Sequence, residues 1–137
     1  MSEQGHRAYR VLVAEDDSEM RKVVTEALRA SGYQVIEAEH GGRMLADVAA
    51  RLGTHESGES LDLIVSDVRM PVCTGLQLLT TLRQAHWATP VILMTAFGDE
   101  AVRARADALG ALLFDKPFDV DDLLATAARL LPPKPPR

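Results

Sequence analysis

Carboxylate side chains directly follow two of the most apolar segments of the chain. Glu15 and Asp16 come after "RVLVA", and Asp67 comes after "LDLIVS". An aspartate at the end of a buried strand is costly to bury without a partner. Taken alone, Asp67 is better explained as the cap of a turn before the next helix, because Asp is a common turn residue. Taken alone, Glu15 and Asp16 would be a solvated helix N-terminus, where acidic side chains interact favourably with the helix dipole.

A hydroxyl and an ammonium group hold corresponding positions later in the chain. Thr95 ends "PVILMT", and Lys116 comes directly after "ALLFD". Alone, Thr95 would be an ordinary β-branched strand residue, and Lys116 an ordinary surface lysine. Two further carboxylates, Glu37 and Glu39, lie near the end of the apolar run "QVIEA". Charged and polar side chains therefore recur wherever an apolar run ends.

These groups have a shared chemistry if the segments before Glu15 and Asp67 are neighbouring strands, because Glu15, Asp16 and Asp67 then converge. Two like charges 4 Å apart repel by about 1 kcal/mol in water and by about 4 kcal/mol at an effective dielectric constant of 20. Three carboxylates therefore need a cation, and oxygen ligands without His or Cys favour Mg²⁺. A carboxylate beside Mg²⁺, with a hydroxyl and an ammonium nearby, suits phosphoryl transfer to aspartate.

Five apolar runs predict the strands that would position these residues. Several runs are apolar at adjacent positions, which is typical of strands covered on both faces, as in a parallel sheet. The runs are "RVLVA" from Arg10, "QVIEA" from Gln34, "LDLIVS" from Leu61, "PVILMT" from Pro90 and "ALLFD" from Ala111.

Apolar residues at helical spacing follow each of these runs. Ser18 is predicted to cap the first helix, and Gly32 to end it. The last helix is predicted to begin near Asp119 and to stop before "PPKPPR", because Pro cannot continue a helix. The order (βα)5 predicts an α/β fold with a single doubly wound, five-stranded parallel sheet. Ligands bind at the carboxyl ends of the strands in such sheets.

Length and composition bound the class of protein. The 137 residues predict one domain, and the net charge of −5 argues against general nucleic-acid affinity. The one cysteine, Cys73, cannot form an internal disulfide, which fits a reducing compartment. No apolar run approaches the length of a membrane span, and "MSEQGHRAYR" lacks an apolar signal region. We therefore expect a cytoplasmic protein with no membrane segment.

Four motifs resemble the CheY-like receiver domain of two-component response regulators. They are "VLVAEDDSEMR", "DLIVSDVRMPVCTGL", "VILMTA" and "DKPFD", in the order and at the strand ends that this family uses. The resemblance covers residues 9–131, which leaves residues 1–8 as an N-terminal extension and residues 132–137 as a Pro-rich tail. It implies the flavodoxin-like strand order 2-1-3-4-5.

The resemblance also assigns roles to residues. Asp67 matches the phosphoacceptor, and Glu15 and Asp16 match the acidic pair that holds Mg²⁺, with Glu where the family more often has Asp. The backbone carbonyl of Arg69 matches the main-chain metal ligand. In the same way, Thr95 matches the switch hydroxyl.

Lys116 matches the site lysine of the family. The bond between Lys116 and Pro117 is then expected to be cis, because in receivers this bond directs the lysine at the phosphate. Composition alone would not predict it, since only about 5–6% of X–Pro bonds are cis.

The function implied is a phosphorylation-controlled signalling domain, not an enzyme beyond its own phosphorylation and dephosphorylation. The donor is a histidine kinase or a phosphotransfer protein, and the downstream protein or output domain is unknown. The resemblance allows a dimer that forms on phosphorylation. No helix-turn-helix follows the final helix, so we expect either a stand-alone receiver or one cut from a longer regulator.

Two alternatives stay open. One is a receiver-like docking module that takes no phosphate. The other is a phosphatase of the haloacid dehalogenase type, which also uses a strand-end Asp and Mg²⁺. Those enzymes carry a DxD motif, whereas the residue two after Asp67 is Arg69, so this alternative is less favoured.

The sequence departs from the receiver pattern three residues before the site lysine. Receivers usually have Tyr or Phe there, and this chain has Leu113. Phe114 follows on the opposite face, because strand side chains alternate. We therefore expect Phe114 to be fixed in the core without a rotamer switch. Gly75 is predicted to serve the conformation of a turn or helix start, and residues 53–60 are predicted to form a mobile surface loop.

Overall fold

The computed structural model of the protein describes residues 8–51, 60–70, 73–96 and 100–132, and in these ranges strands alternate with helices. The strands are β1 (Arg10–Ala14), β2 (Gln34–Ala38), β3 (Leu63–Asp67), β4 (Val91–Thr95) and β5 (Leu112–Asp115). The helices are α1 (Ser18–Ala30), α2 (Gly41–Arg51), α3 (Gly75–Gln84), α4 (Glu100–Ala108) and α5 (Val120–Leu130).

All five strands are parallel and form one sheet in the order β2-β1-β3-β4-β5. The predicted fold class and strand order are both confirmed. In the register between β1 and β3, Ala14 is opposite Ser66. The next residues along the two strands are Glu15 and Asp67, so the sheet brings their carboxylates to the same edge.

Helices cover both faces of the sheet, which explains why the strands are apolar at adjacent positions. Alternate residues of each strand enter two separate core clusters. The first cluster lies under α2, α3 and α4, and includes Leu12, Met44, Ile64, Leu79, Leu93 and Ala106. The second lies under α1 and α5, and includes Val13, Leu28, Val65, Met94 and Leu123.

Among the boundaries that differ from the predictions, those of β3 and α1 bear on the site. β3 begins at Leu63, two residues later than the apolar run suggested, and it includes Asp67. The carboxylate of Asp62 accepts a hydrogen bond of 2.8 Å from the backbone N–H of Arg10, so Asp62 anchors the start of β1 from outside the strand. At the start of α1, the N-cap is Asp17 instead of Ser18, and its carboxylate accepts hydrogen bonds from two backbone N–H groups of the first turn.

Other end signals behave as predicted. Gly32 follows α1 with a φ of 100°, a conformation that favours glycine. Asp119 caps α5. Most of the predicted loop at residues 53–60, most of the N-terminal extension and most of the Pro-rich tail lie outside the described residues. Within the described ranges, no helix combines the length and apolar character that crossing a membrane requires.

Candidate functional site

Three carboxylates meet at the carboxyl ends of β1 and β3. Glu15, Asp16 and Asp67 each offer one oxygen, and these oxygens lie within 4.8 Å of one another. Glu15 is fully buried and Asp67 is 7% exposed, whereas Asp16 faces solvent. The three carboxylates were expected to converge if β1 and β3 were neighbours. The two strands are neighbours, and the carboxylates do converge.

The ammonium group of Lys116 lies between two of these carboxylates. Its Nζ donates to Glu15 Oε1 at 2.6 Å and to Asp67 Oδ2 at 3.1 Å. The side chain is 18% exposed, so Lys116 is not an ordinary surface lysine. The bond between Lys116 and Pro117 is cis, as the resemblance predicted.

The electrostatics of the site follow from burial and from this contact. Burial raises the pKa of Glu15 from 4.5 to about 7, although hydrogen bonds from Lys116 and from the backbone of Asp17 oppose the shift. Burial alone would lower the pKa of Lys116, but its hydrogen bonds to Glu15 and Asp67 raise it overall. The lysine is therefore charged, while Glu15 resists full ionisation without a further cation.

Thr95 lies beside these residues at the end of β4. It is buried, and its backbone carbonyl accepts a hydrogen bond of 2.7 Å from the backbone N–H of Lys116. Asp67 is opposite Met94 in the register between β3 and β4. Thr95 is the next residue of β4, so it lies one residue beyond the level of Asp67, the phosphoacceptor candidate. The sheet thus gathers the predicted hydroxyl, ammonium and carboxylates at one edge.

Arg69 follows Asp67 closely and is exposed. Its backbone N–H donates to Asp67 Oδ1 at 3.3 Å. The adjacent N–H of Val68 donates to the carbonyl of Met94 at 2.8 Å, which extends the pairing with β4 past the end of β3. These bonds fix the backbone next to the carbonyl of Arg69, which is the predicted metal ligand.

Gly75 begins α3, so its predicted place at a helix start is confirmed, but the reason for glycine is steric instead of conformational. Its φ lies outside the left-handed region, in contrast to that of Gly110, which is +77°. A Cβ at Gly75 would lie 2.6 Å from the carbonyl oxygen of Asp67 and 2.8 Å from Ser66 Oγ. The position therefore needs glycine because α3 begins directly against the backbone of Asp67.

Two residues to which the sequence analysis assigned no role, Ser66 and Arg21, contact the backbone of site residues. The fully buried hydroxyl of Ser66 donates to the carbonyl of Asp67 at 2.9 Å. Arg21 Nη1 donates to the carbonyl of Glu15 at 2.7 Å. A serine that directly follows the apolar residues of β3 is a weak signal for Ser66, whereas an arginine in an amphipathic helix provides no signal.

The donor set fits Mg²⁺. Hard oxygen ligands from carboxylates, with waters completing the shell, are what Mg²⁺ prefers. The buried Glu15 carboxylate, whose pKa is raised by burial, gains a counter-charge from such an ion in addition to Lys116. The residues that would hold it are Glu15, Asp16 and Asp67.

Glu15 should make stability depend on pH in the absence of Mg²⁺. Its pKa is 4.5 when unfolded and about 7 when folded, so the folded protein binds the proton more tightly. This favourable contribution is present below the unfolded pKa and is lost as the pH rises through the folded value. A shift of this size corresponds to roughly 3 kcal/mol.

Denaturant unfolding between about pH 5 and about pH 8 measures this contribution. The free energy of unfolding of the wild type should fall relative to that of Glu15→Gln across this window, because the amide carries no titrating proton. Parallel pH profiles for the two proteins would contradict the assignment of the raised pKa to Glu15.

Leu113 and Phe114 lie on opposite faces of β5, as predicted. Leu113 packs against the cluster under α2, α3 and α4, and Phe114 packs against the cluster under α1 and α5. The half-buried ring of Phe114 meets that of Phe118 edge-on, with 5.5 Å between centroids. Whether Phe114 changes rotamer on activation stays a prediction.

Comparisons with known proteins agree with this geometry. Residues 11–128 match the model of the response regulator receiver domain family. The DNA-binding transcriptional regulator NtrC of Salmonella typhimurium is 36% identical over 122 residues, which are 88% of this chain and 24% of NtrC. The chain therefore spans about a quarter of the length of that relative.

Solved structures show the same fold. Chemotaxis protein CheY4 of Vibrio cholerae has a TM-score of 0.74 at 30% identity, covering 91% of this chain and all of CheY4. The response regulator TrrA of Thermotoga maritima, in complex with Mg²⁺ and BeF, has a TM-score of 0.74 at 26% identity. That alignment covers 90% of this chain and 99% of TrrA.

Proposed function

The chain belongs to the response regulator receiver domain family of two-component systems, and we propose that Asp67 is its phosphoacceptor. In this proposal Mg²⁺ is held by Glu15, Asp16, Asp67 and the backbone carbonyl of Arg69. The carboxylates at the strand ends provide both the attacking oxygen and the ligands for the ion.

One observation carries the proposal. Lys116 Nζ contacts both Glu15 and Asp67, at the point where the three carboxylates converge. A mostly buried ammonium beside crowded carboxylates creates a place where an anion and a divalent cation can bind together. TrrA, which shares the fold, binds Mg²⁺ and BeF, which supports the same pairing of ligands in this chain.

The reaction is transfer of a phosphoryl group from a phosphohistidine of a histidine kinase or phosphotransfer protein. An oxygen of Asp67 attacks the phosphorus, the bond to the imidazole nitrogen breaks, and the imidazole retains that electron pair. Bound Mg²⁺ supplies charge neutralisation for the phosphoryl oxygens. Lys116 and the hydroxyl of Thr95 bind other phosphoryl oxygens. Water later attacks the acyl phosphate, releases inorganic phosphate and restores the Asp67 carboxylate.

Signalling follows from the added charge of about −1.5 to −2. New contacts at Thr95 and Lys116 favour one of two pre-existing arrangements of the neighbouring elements. Arg103 of α4 binds both carboxylate oxygens of Asp115, at 3.1 and 3.0 Å, and Asp115 is opposite Thr95 in the sheet. In this proposal, the contact between Asp115 and Arg103 is the route by which a shift at Thr95 reaches α4.

The partners and the extent of the functional unit follow from the same proposal. The unit is residues 9–131, with residues 1–8 and 132–137 outside it. The surface that includes α4 would bind an output domain, a downstream protein or a second phosphorylated copy of the chain. The site of action proposed is the cytoplasm, where two-component kinases present their phosphohistidine. Direct contact with nucleic acid or a membrane is not part of the proposal.

Labelling by a small acyl-phosphate donor tests the function. Intact-protein mass spectrometry should detect one phosphoryl group per chain with Mg²⁺ and none with a chelator, because the metal is required for transfer. A chain that binds Mg²⁺ but is never labelled would instead be a docking module. Sustained hydrolysis of a generic phosphate ester would identify a phosphatase.

A further inference from the structure

Arg21 joins the loop that carries the proposed metal ligands to the neighbouring strand. It lies in the first turn of α1, and its side chain is 19% exposed. Its Nη1 donates to the carbonyl oxygen of Glu15 at 2.7 Å, and its Nε donates to Glu37 Oε1 at 3.2 Å. Glu37 is in β2, opposite Val13 of β1. One guanidinium therefore links α1, the end of β1 and β2.

The backbone of Glu15 is held on both sides. Its N–H donates to the carbonyl of Ala38 at 3.0 Å, and its carbonyl accepts from Arg21. The next turn is closed by the N–H of Asp17, which donates to Glu15 Oε2 at 3.1 Å. Within this set, the bond from Arg21 fixes the peptide that joins Glu15 to Asp16, and this peptide sets the directions of both carboxylates.

We propose that Arg21 is a positioning residue for the metal site, acting through the Glu15–Asp16 peptide and oriented by Glu37. The inference rests on the proposed function, since it presumes that Glu15 and Asp16 hold Mg²⁺. Arg21 touches no reacting atom. Its effect is to keep two ligands preorganised, and loss of such supporting contacts typically weakens metal binding by about 10–100-fold.

The charge of Arg21 and its positioning role predict opposite changes in Mg²⁺ affinity when Arg21 is removed. A guanidinium close to a cation site repels the cation, so its removal would tighten Mg²⁺ binding if charge were its main effect. Removal weakens binding if positioning dominates. The sign of the change therefore separates the two roles.

Arg21→Met is the direct test, because methionine fills similar space without hydrogen-bond donors or charge. Titration calorimetry with Mg²⁺ alone should show an affinity lower by about tenfold or more. The Mg²⁺ concentration that half-saturates acyl-phosphate labelling should rise by the same factor, whereas the rate at saturating Mg²⁺ should change little. Unchanged or tighter Mg²⁺ binding would overturn the proposal.

Arg29→Met is the matched control. Arg29 is on the same helix and contacts the other oxygen of Glu37, with Nη2 3.3 Å from Oε2, and it donates to the carbonyl of Val35 at 3.1 Å. Its replacement removes the same charge from the same carboxylate without touching the Glu15 peptide. Mg²⁺ affinity should stay at the wild-type value. An equal loss in both variants would show that charge around Glu37 is responsible and would overturn the proposal.

Arg21→Lys covers the case in which Arg21→Met does not fold. Lysine keeps the positive charge, but all its donors are on one nitrogen atom. A lysine whose ammonium group bonds to the Glu15 carbonyl therefore loses the second bond, to Glu37. When Arg21→Met folds, Mg²⁺ binding should weaken less in Arg21→Lys than in Arg21→Met. When Arg21→Met does not fold, the Mg²⁺ affinity of Arg21→Lys should still lie below that of the wild type, and wild-type affinity would overturn the proposal. Failure of the proposed function has a different signature, because then the wild type itself binds no Mg²⁺ and is not labelled.

Discussion

Asp67→Asn is expected to reduce labelling by an acyl-phosphate donor from one phosphoryl group per chain to none. Asparagine has nearly the same shape, but its amide has no anionic oxygen to attack phosphorus. The fold should persist, because Lys116 keeps its 2.6 Å contact with Glu15. Without Mg²⁺ the variant should be at least as stable as the wild type, since one of the crowded carboxylates is gone.

Asp115→Asn is the control for this experiment. Asp115 also ends a strand and lies directly before Lys116, but its carboxylate is 55% exposed and pairs with Arg103. Labelling of this variant should stay at one group per chain. Stoichiometric labelling of Asp67→Asn, with the phosphoryl group mapped to another residue, would remove Asp67 as the acceptor.

The sheet and its polar edge could be predicted from the sequence because both depend on local pattern. Runs such as "VILMT" identify strands that are covered on both faces, and the residue at the end of each run must lie at the carboxyl edge. The positions of Thr95 and Lys116 at this edge follow for that reason. The strand order came from the family resemblance, because periodicity does not state which strands are neighbours.

The differences from prediction have physical causes that a sequence does not display. Asp17 and Ser18 are both good N-cap residues, so residue type alone could not choose between them. The role of Gly75 depends on how closely α3 approaches the end of β3, which is a tertiary distance. Arg21 binds a backbone oxygen of Glu15, and every residue type has a backbone carbonyl, so nothing in the sequence marks the partner.

The electrostatic coupling of the site was only partly predictable. Crowding of the carboxylates was expected, but the depth of burial of Glu15 was not. Because Glu15 is fully buried, desolvation becomes the largest influence on its pKa. The site therefore combines an acid that resists ionisation with a charged lysine, and this combination depends on the full burial of Glu15.

Gly75→Ala is expected to lower both stability and phosphorylation. The new Cβ would lie 2.6 Å from the carbonyl oxygen of Asp67 and 3.0 Å from Leu93 Cδ2. The Asp67 backbone cannot easily move, since the N–H of the next residue, Val68, is bonded to β4. The start of α3 must therefore shift, which strains the 3.2 Å bond from the Gly75 N–H to the carbonyl of Val68.

Overpacking of this kind costs about 1–3 kcal/mol, and a weakened hydrogen bond adds about 1 kcal/mol. Thermal unfolding should show a melting temperature lower by roughly 10 °C, and the rate of acyl-phosphate labelling should fall as well, because the clash falls on the backbone of Asp67, the proposed phosphoacceptor. Gly110→Ala is the control: a Cβ there meets nothing within 4 Å, but φ is +77°. That variant should lose about 1–2 kcal/mol through backbone strain and keep the wild-type labelling rate. A Gly75→Ala protein with wild-type stability and labelling would show that α3 does not press on Asp67.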